Sequence, residues 1–158
     1  MKYLITGGAG FIGSHLAEAL ITRGESVLAL DNLATGNLKN IEKLKDNPNF
    51  NLVNGSILDE DLIDNAVQQV DQVLHFAAAV GVLNIVERPL DSLKVNLNGT
   101  EIVLKAAGKY NKPVLIASSS EVYGEPVEFP QNEYTTPLNS RLPYAIVKNV
   151  GEATLRAY

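Results

Sequence analysis

Tyr144 and Lys148 stand four residues apart in Tyr144-Ala-Ile-Val-Lys148, a spacing that puts both on one face of a helix. An ammonium beside a phenol favours the phenolate, so the pair can take a proton from an alcohol near neutral pH. Upstream runs Ala117-Ser118-Ser119-Ser120-Glu121-Val122-Tyr123-Gly124, where a serine hydroxyl can bond the same substrate oxygen. A tyrosine and a lysine at this spacing occur often by chance. The serine run at the end of a strand gives them a role. Ser118 and Ser120 read as strand-end hydrogen-bonders, and Glu121 as either a supporting carboxylate or a catalytic one.

A second constellation opens the chain. The apolar Tyr3-Leu4-Ile5 runs into Thr6-Gly7-Gly8-Ala9-Gly10-Phe11-Ile12-Gly13, so the glycines fall as Gly8-x-Gly10-x-x-Gly13 and also as Gly7-x-x-Gly10-x-x-Gly13. An early glycine turns the chain off the strand, a middle one lets backbone approach a pyrophosphate, and Gly13 lets the helix pack close to the sheet. The helix N-terminus offers free N–H groups and a partial positive charge. Asp31 closes the next strand about twenty residues on, where a carboxylate can accept both ribose hydroxyls. Strand, glycine loop, helix, strand and acid in that order predict a dinucleotide site.

These residues need a scaffold, and strand and helix signals alternate along the chain. Strands are expected at Val27 to Leu30, Phe50 to Val53, Val73 to Ala77 and Val114 to Ala117, the last apolar enough to be covered on both faces. A helix over 11–23 turns Ile12, Leu16, Ala19 and Leu20 inward and stops at Gly24. A short helix is expected around 41–45. Asp59 caps a helix with Leu62, Ile63, Ala66, Val67 and Val70 inside, and Asp59, Glu60 and Asp61 suit its dipole. Pro89 opens a long helix through Leu93, Leu97, Thr100, Leu104 and Ala107. A proline-rich loop spans 124–142, and a final helix starts near Pro143. The expected fold is α/β, a doubly wound Rossmann-like parallel sheet of order 3-2-1-4-5 with its ligand over the carboxyl ends of strands 1 and 4.

Composition narrows the partners. At 158 residues the chain is one domain; net charge −5 with no basic stripe argues against nucleic acid. With no cysteine and no clustered histidine, a metal site has no support, and His15 and His75 are expected to do no chemistry. No apolar run reaches membrane-spanning length and no signal peptide precedes the first strand, so a cytoplasmic protein is expected.

Six stretches together resemble the extended short-chain dehydrogenase/reductases that act as nucleotide-sugar epimerases, dehydratases or decarboxylases, of the UDP-glucose 4-epimerase kind. They are Thr6 to Leu16, Asp31-Asn-Leu33, His75-Phe-Ala-Ala78, Asn96-Leu-Asn-Gly-Thr100, Ser119-Ser-Glu-Val-Tyr-Gly124 and Tyr144-x-x-x-Lys148. The resemblance implies that Gly7, Gly10, Phe11, Ile12 and Gly13 hold the NAD pyrophosphate and that Asp31 and Asn32 hold the adenosine ribose. Asp31 would repel a 2′-phosphate, which favours NAD over NADP. Ile57 lies beside adenine. Ser56 stands where the family usually has an acid for the adenine amino group. Phe76, Ala77 and Ala78 line the cofactor, and Asn96 lies near the nicotinamide. Ser119 orients the sugar hydroxyl, Tyr144 removes its proton, and Lys148 bonds the nicotinamide ribose and lowers the pKa of the tyrosine.

Ser120 lacks the carboxyl group of the dehydratase Thr-Asp-Glu triplet, so dehydration is disfavoured. The Phe129-Pro-Gln-Asn-Glu133 stretch resembles UDP-glucuronate decarboxylases, whereas Ser140-Arg-Leu-Pro-Tyr144 resembles epimerases. Epimerisation at C4 of a UDP-sugar is the leading expectation; a decarboxylase or a non-catalytic NAD-binding module is the alternative. In the family a sixth strand and a substrate domain follow the tyrosine helix. The chain therefore reads as an incomplete NAD-binding domain over 1–158, either a fragment or a minimal form, with strand 5 an open apolar edge. A homodimer is expected through the two long helices.

Overall fold

Leu4 and Ile5 point to opposite faces of the first strand and both are fully buried, so this strand is central and covered on both sides. The computed structural model describes residues 1–79 and 89–158. Five strands, β1 (Lys2–Thr6), β2 (Ser26–Asp31), β3 (Phe50–Asn54), β4 (Gln72–His75) and β5 (Val114–Ile116), form one parallel sheet of order β3-β2-β1-β4-β5. Thr6 lies opposite Leu30 on one side and His75 on the other, so three strands end level.

Among the described residues four helices cover the sheet: α1 (Phe11–Thr22), α2 (Glu60–Gln68), α3 (Pro89–Lys109) and α4 (Pro143–Ala157). One face packs Leu4, Leu28, Leu30 and Val73 against Ile63, Val67 and Val70 near α2 and Val103 and Ala107 of α3. The other packs Tyr3, Ile5, Val27, Ala29 and Leu74 against Ala17 and Leu20 of α1 and Ile41 and Leu44 of a 3-10 helix over Leu38–Leu44. The Asp59 carboxylate accepts from Leu62 N–H at 3.0 Å, the expected cap, worth ~1 kcal/mol.

Two expectations about faces are corrected, on α1 and on β5. On α1, Gly13, Ser14, Ala17 and Leu20 are buried, whereas Ile12 is 58% exposed and Ala19 lies outside. On α3 the inward row is Ser92, Asn96, Gly99 and Val103, and Leu97 faces out. Small residues let both helices approach the sheet, and that close approach wins over side-chain hydrophobicity. Strand β5 is not covered on both faces: Leu115, paired with the buried Leu74, is 46% exposed on the α1 side. The β4 ladder ends at His75, and the serine run leaves β5 as a loop that tightens into a 3-10 turn over Ser120–Tyr123.

Candidate functional site

A cleft of about 750 Å³ lies over the carboxyl ends of the strands. One wall is the loop from β1 to α1. Gly7 adopts φ +73°, and a Cβ there would come within 2.8 Å of Ala77 N. A Cβ on Gly13 would sit 2.2 Å from the Gly7 carbonyl oxygen, so only glycine lets α1 start this close to the loop. Gly10 is the N-cap of α1 with no side-chain cap, and the first helical bond runs from Ser14 N–H to its carbonyl at 3.0 Å. The amides of Phe11, Ile12 and Gly13 therefore have no helical partner and face an anion-binding position.

Asp31 ends β2 beneath this loop. Its carboxylate accepts from Ala9 N–H at 2.9 Å and Leu33 N–H at 2.8 Å, and it still lines the cleft with lone pairs in hand. Asn32 accepts from Ala34 N–H at 3.1 Å, and the Ser56 hydroxyl accepts from Leu58 N–H at 3.2 Å beside the buried Ile57. Phe76, Ala77 and Ala78 continue the wall beyond β4.

The far wall comes from α4 and the loop after β5. Pro143 stands at the first helical position, and Tyr144 and Lys148 share the cleft-facing side. The Lys148 ammonium donates to the Ala117 carbonyl at 2.7 Å and lies 5.8 Å from the centre of the Tyr144 ring. Burial raises the Tyr144 phenol above its ordinary value, the neighbouring Ser119 hydroxyl draws it back, and the Glu121 charge adds to the rise. Burial pushes the Lys148 ammonium below its ordinary value.

Of the residues singled out by sequence, Gly7, Gly10, Phe11, Ile12, Gly13, Asp31, Asn32, Ser56, Ile57, Phe76, Ala77, Ala78, Tyr144 and Lys148 all line the one cleft. Two are placed differently. Asn96 lies behind the wall, 4% exposed, with its side-chain amide bonded to both backbone groups of Ala79. Ser119 stands just behind the lining beside Tyr144 and also accepts from Glu121 N–H at 3.2 Å. Ser118, read as a strand-end hydrogen-bonder, donates to Glu152, one turn beyond Lys148 on α4, and also lines the cleft. Ala34, Thr35, Asp91, Ser92 and Val95 also line it without a sequence signal. Among the described residues there is no group of acids and histidines able to hold a metal, and no helix long and apolar enough to cross a membrane.

A glycine cradle, three open amides, a carboxylate at the end of β2 and a phenol with an ammonium opposite fit an adenine dinucleotide. Comparison with known proteins agrees. The family model described as GDP-mannose 4,6 dehydratase matches residues 4–158, and the chain belongs to that family. A Methanocaldococcus jannaschii protein, named provisionally as a UDP-glucose 4-epimerase, is 42% identical over 158 residues, covering 98% of this chain and 50% of that one. UDP-glucuronic acid decarboxylase 1 of Danio rerio is 38% identical over 161 residues, covering 99% and 37%. The UDP-glucose 4-epimerase of Bifidobacterium longum, solved with NAD+ and UDP, superimposes with a TM-score of 0.89 at 33% identity, covering 99% of this chain and 48% of that one. The chain thus spans about half the length, or less, of these relatives.

Proposed function

We propose that the protein is an NAD-dependent nucleotide-sugar epimerase acting at C4 of a UDP-sugar, and that this chain holds the cofactor. The observation that carries the reading is that Tyr144, with Ser119 beside it, and Lys148 lie across one cleft from the glycine loop. The amides of Phe11, Ile12 and Gly13 hold the pyrophosphate, and Asp31 takes the adenosine ribose hydroxyls. When bound, NAD supplies the acceptor for a hydride from the sugar carbon and returns it to the opposite face. The Tyr144 phenol oxygen takes the C4 hydroxyl proton and later gives it back, while the Ser119 hydroxyl holds the reacting oxygen. Lys148, fixed through Ala117, brings a positive charge to the tyrosine ring, 5.8 Å from its centre.

The test is Tyr144→Phe in protein that interconverts UDP-glucose and UDP-galactose. Turnover should fall by about 10³ or more, with NAD affinity and melting temperature close to those of the parent. Because burial holds the phenol protonated, parent turnover should rise toward alkaline pH. A Tyr144→Phe protein near parental activity would refute the assignment.

The second reading, a UDP-glucuronate decarboxylase, is favoured by the Glu121 carboxylate, whose charge reaches Tyr144. Release of carbon dioxide from UDP-glucuronate without UDP-glucose epimerisation would select it. Turnover of neither sugar with NAD still bound would leave a cofactor-binding module. A second copy of the chain is the proposed partner for the α3 and α4 surface, where Leu97, Ile146 and Val150 are exposed, and sedimentation equilibrium reads it directly.

A further inference from the structure

His75 takes no part in this chemistry, yet both of its ring nitrogens are bonded. The ring is buried at the end of β4, with Nδ1 2.7 Å from Thr6 Oγ1 and Nε2 3.1 Å from Thr100 Oγ1. Protons can be followed along this line. The Thr100 hydroxyl donates to the Asn96 carbonyl at 2.7 Å, which commits its single proton, so it must accept from Nε2–H. Burial, with the nearby Lys148 charge, holds the ring's pKa down to about 3, so a ring with Nε2–H has a bare Nδ1. Thr6 therefore donates to Nδ1 and accepts from Ala77 N–H at 3.2 Å. The opposite tautomer would leave the Thr6 proton without an acceptor and take the Thr100 proton from the Asn96 carbonyl.

The result is one directed chain from Ala77 N–H through Thr6, His75 and Thr100 to the Asn96 carbonyl. The Asn96 side chain closes it, accepting from Ala79 N–H at 2.7 Å and donating to the Ala79 carbonyl at 3.0 Å. The cleft segment 77–79 is thereby held at both ends, and Gly7 rests against its start.

We infer that His75 is a positioning residue of the cleft: as the neutral Nε2–H tautomer it joins β1, β4 and α3 through Thr6 and Thr100, fixing the backbone of residues 77–79 against the glycine loop. Only the NAD arm of the test rests on the proposed cofactor reading.

Ring ¹⁵N NMR of the unmutated chain should show His75 with a proton on Nε2, none on Nδ1, and no titration from about pH 8 to 5. A titrating ring or an Nδ1–H tautomer would overturn the inference. Thr100→Val and Thr100→Ser then separate bonding from packing, since Thr100 is outside the cleft lining and its methyl packs 3.8 Å from the Cβ position of Gly151. Thr100→Val keeps the shape and loses the hydroxyl; amide exchange at Ala77 and Ala79 should quicken, and NAD binding weaken, each roughly tenfold. Thr100→Ser keeps the hydroxyl and should restore both to within about twofold. A packing role would rank the two variants the other way, and unchanged exchange in Thr100→Val would likewise overturn the inference. If the unmutated chain bound no NAD while the tautomer and exchange results held, the cofactor reading would fail and the positioning role would stand.

Discussion

The two walls of the cleft are built by opposite means. The glycine-loop wall is backbone: strands whose Leu4, Ile5 and Leu30 are at most 1% exposed, a turn at φ +73°, and amides left open at a helix start. The α4 wall is side chains: Tyr144, Lys148 and Ser118, carried by a helix and by the loop after a three-residue strand whose Leu115 is 46% exposed. The first wall sets shape, because Gly7 and Gly13 leave no room for a side chain. The second sets chemistry, with groups that can be exchanged while the scaffold keeps its form.

If that contrast is right, the largest effect belongs to Gly13. Gly13→Ala puts a methyl 2.2 Å from the Gly7 carbonyl oxygen, which only a backbone shift relieves. It should cost at least ~3 kcal/mol, seen as a collapse of the thermal midpoint, whereas Tyr144→Phe barely moves it. Equal midpoints for the two variants would break the comparison.

The next effect is acid sensitivity where the walls join. His75 has an ordinary pKa of 6.5 when unfolded and about 3 when folded. Between those values the unfolded chain binds more protons, so stability rises with pH there. The contribution is fully present above pH 6.5 and is lost as pH falls toward 3, at up to ~1.4 kcal/mol per unit. Urea unfolding at pH 7, 6 and 5 measures it. A flat profile would mean that the ring is not held neutral in the fold.

The smallest effect is expected at the uncovered strand. Leu115→Gln should change stability by less than ~1 kcal/mol in the same assay, because half of the side chain already meets solvent. A much larger loss would show that β5 is covered in solution, and would place a contact on the second wall that the first does not need.

Much of this was legible in the sequence, and the boundary is instructive. Strand order, the glycine loop, Asp31 and the Asp59 cap follow from local signals: apolar runs, φ-permissive residues and short carboxylates at element ends. The inward face of α1 did not follow. Hydrophobic spacing points to Ile12, but Gly13 and Ala17 are what allow close approach, as Gly99 does on α3, and smallness leaves no apolar signal. Asn96 is expected near the cofactor by resemblance; that its amide also clamps Ala79, a partner seventeen residues away, only the folded chain reveals. Ser118 reads as a strand-end hydrogen-bonder, but its partner Glu152, thirty-four positions on, likewise appears only in the fold.

Asp31 has a consequence for anyone wishing to retune the chain. The carboxylate proposed to read a ribose also carries the amides of Ala9 and Leu33, and Gly36 lies so near that a Cβ there would sit 2.7 Å from one of its oxygens. Exchanging Asp31 for a residue that welcomes a phosphorylated ribose would strip both amides of their acceptor. A change of coenzyme preference in this scaffold is therefore a block redesign of residues 31 to 36, in which recognition and support are replaced together.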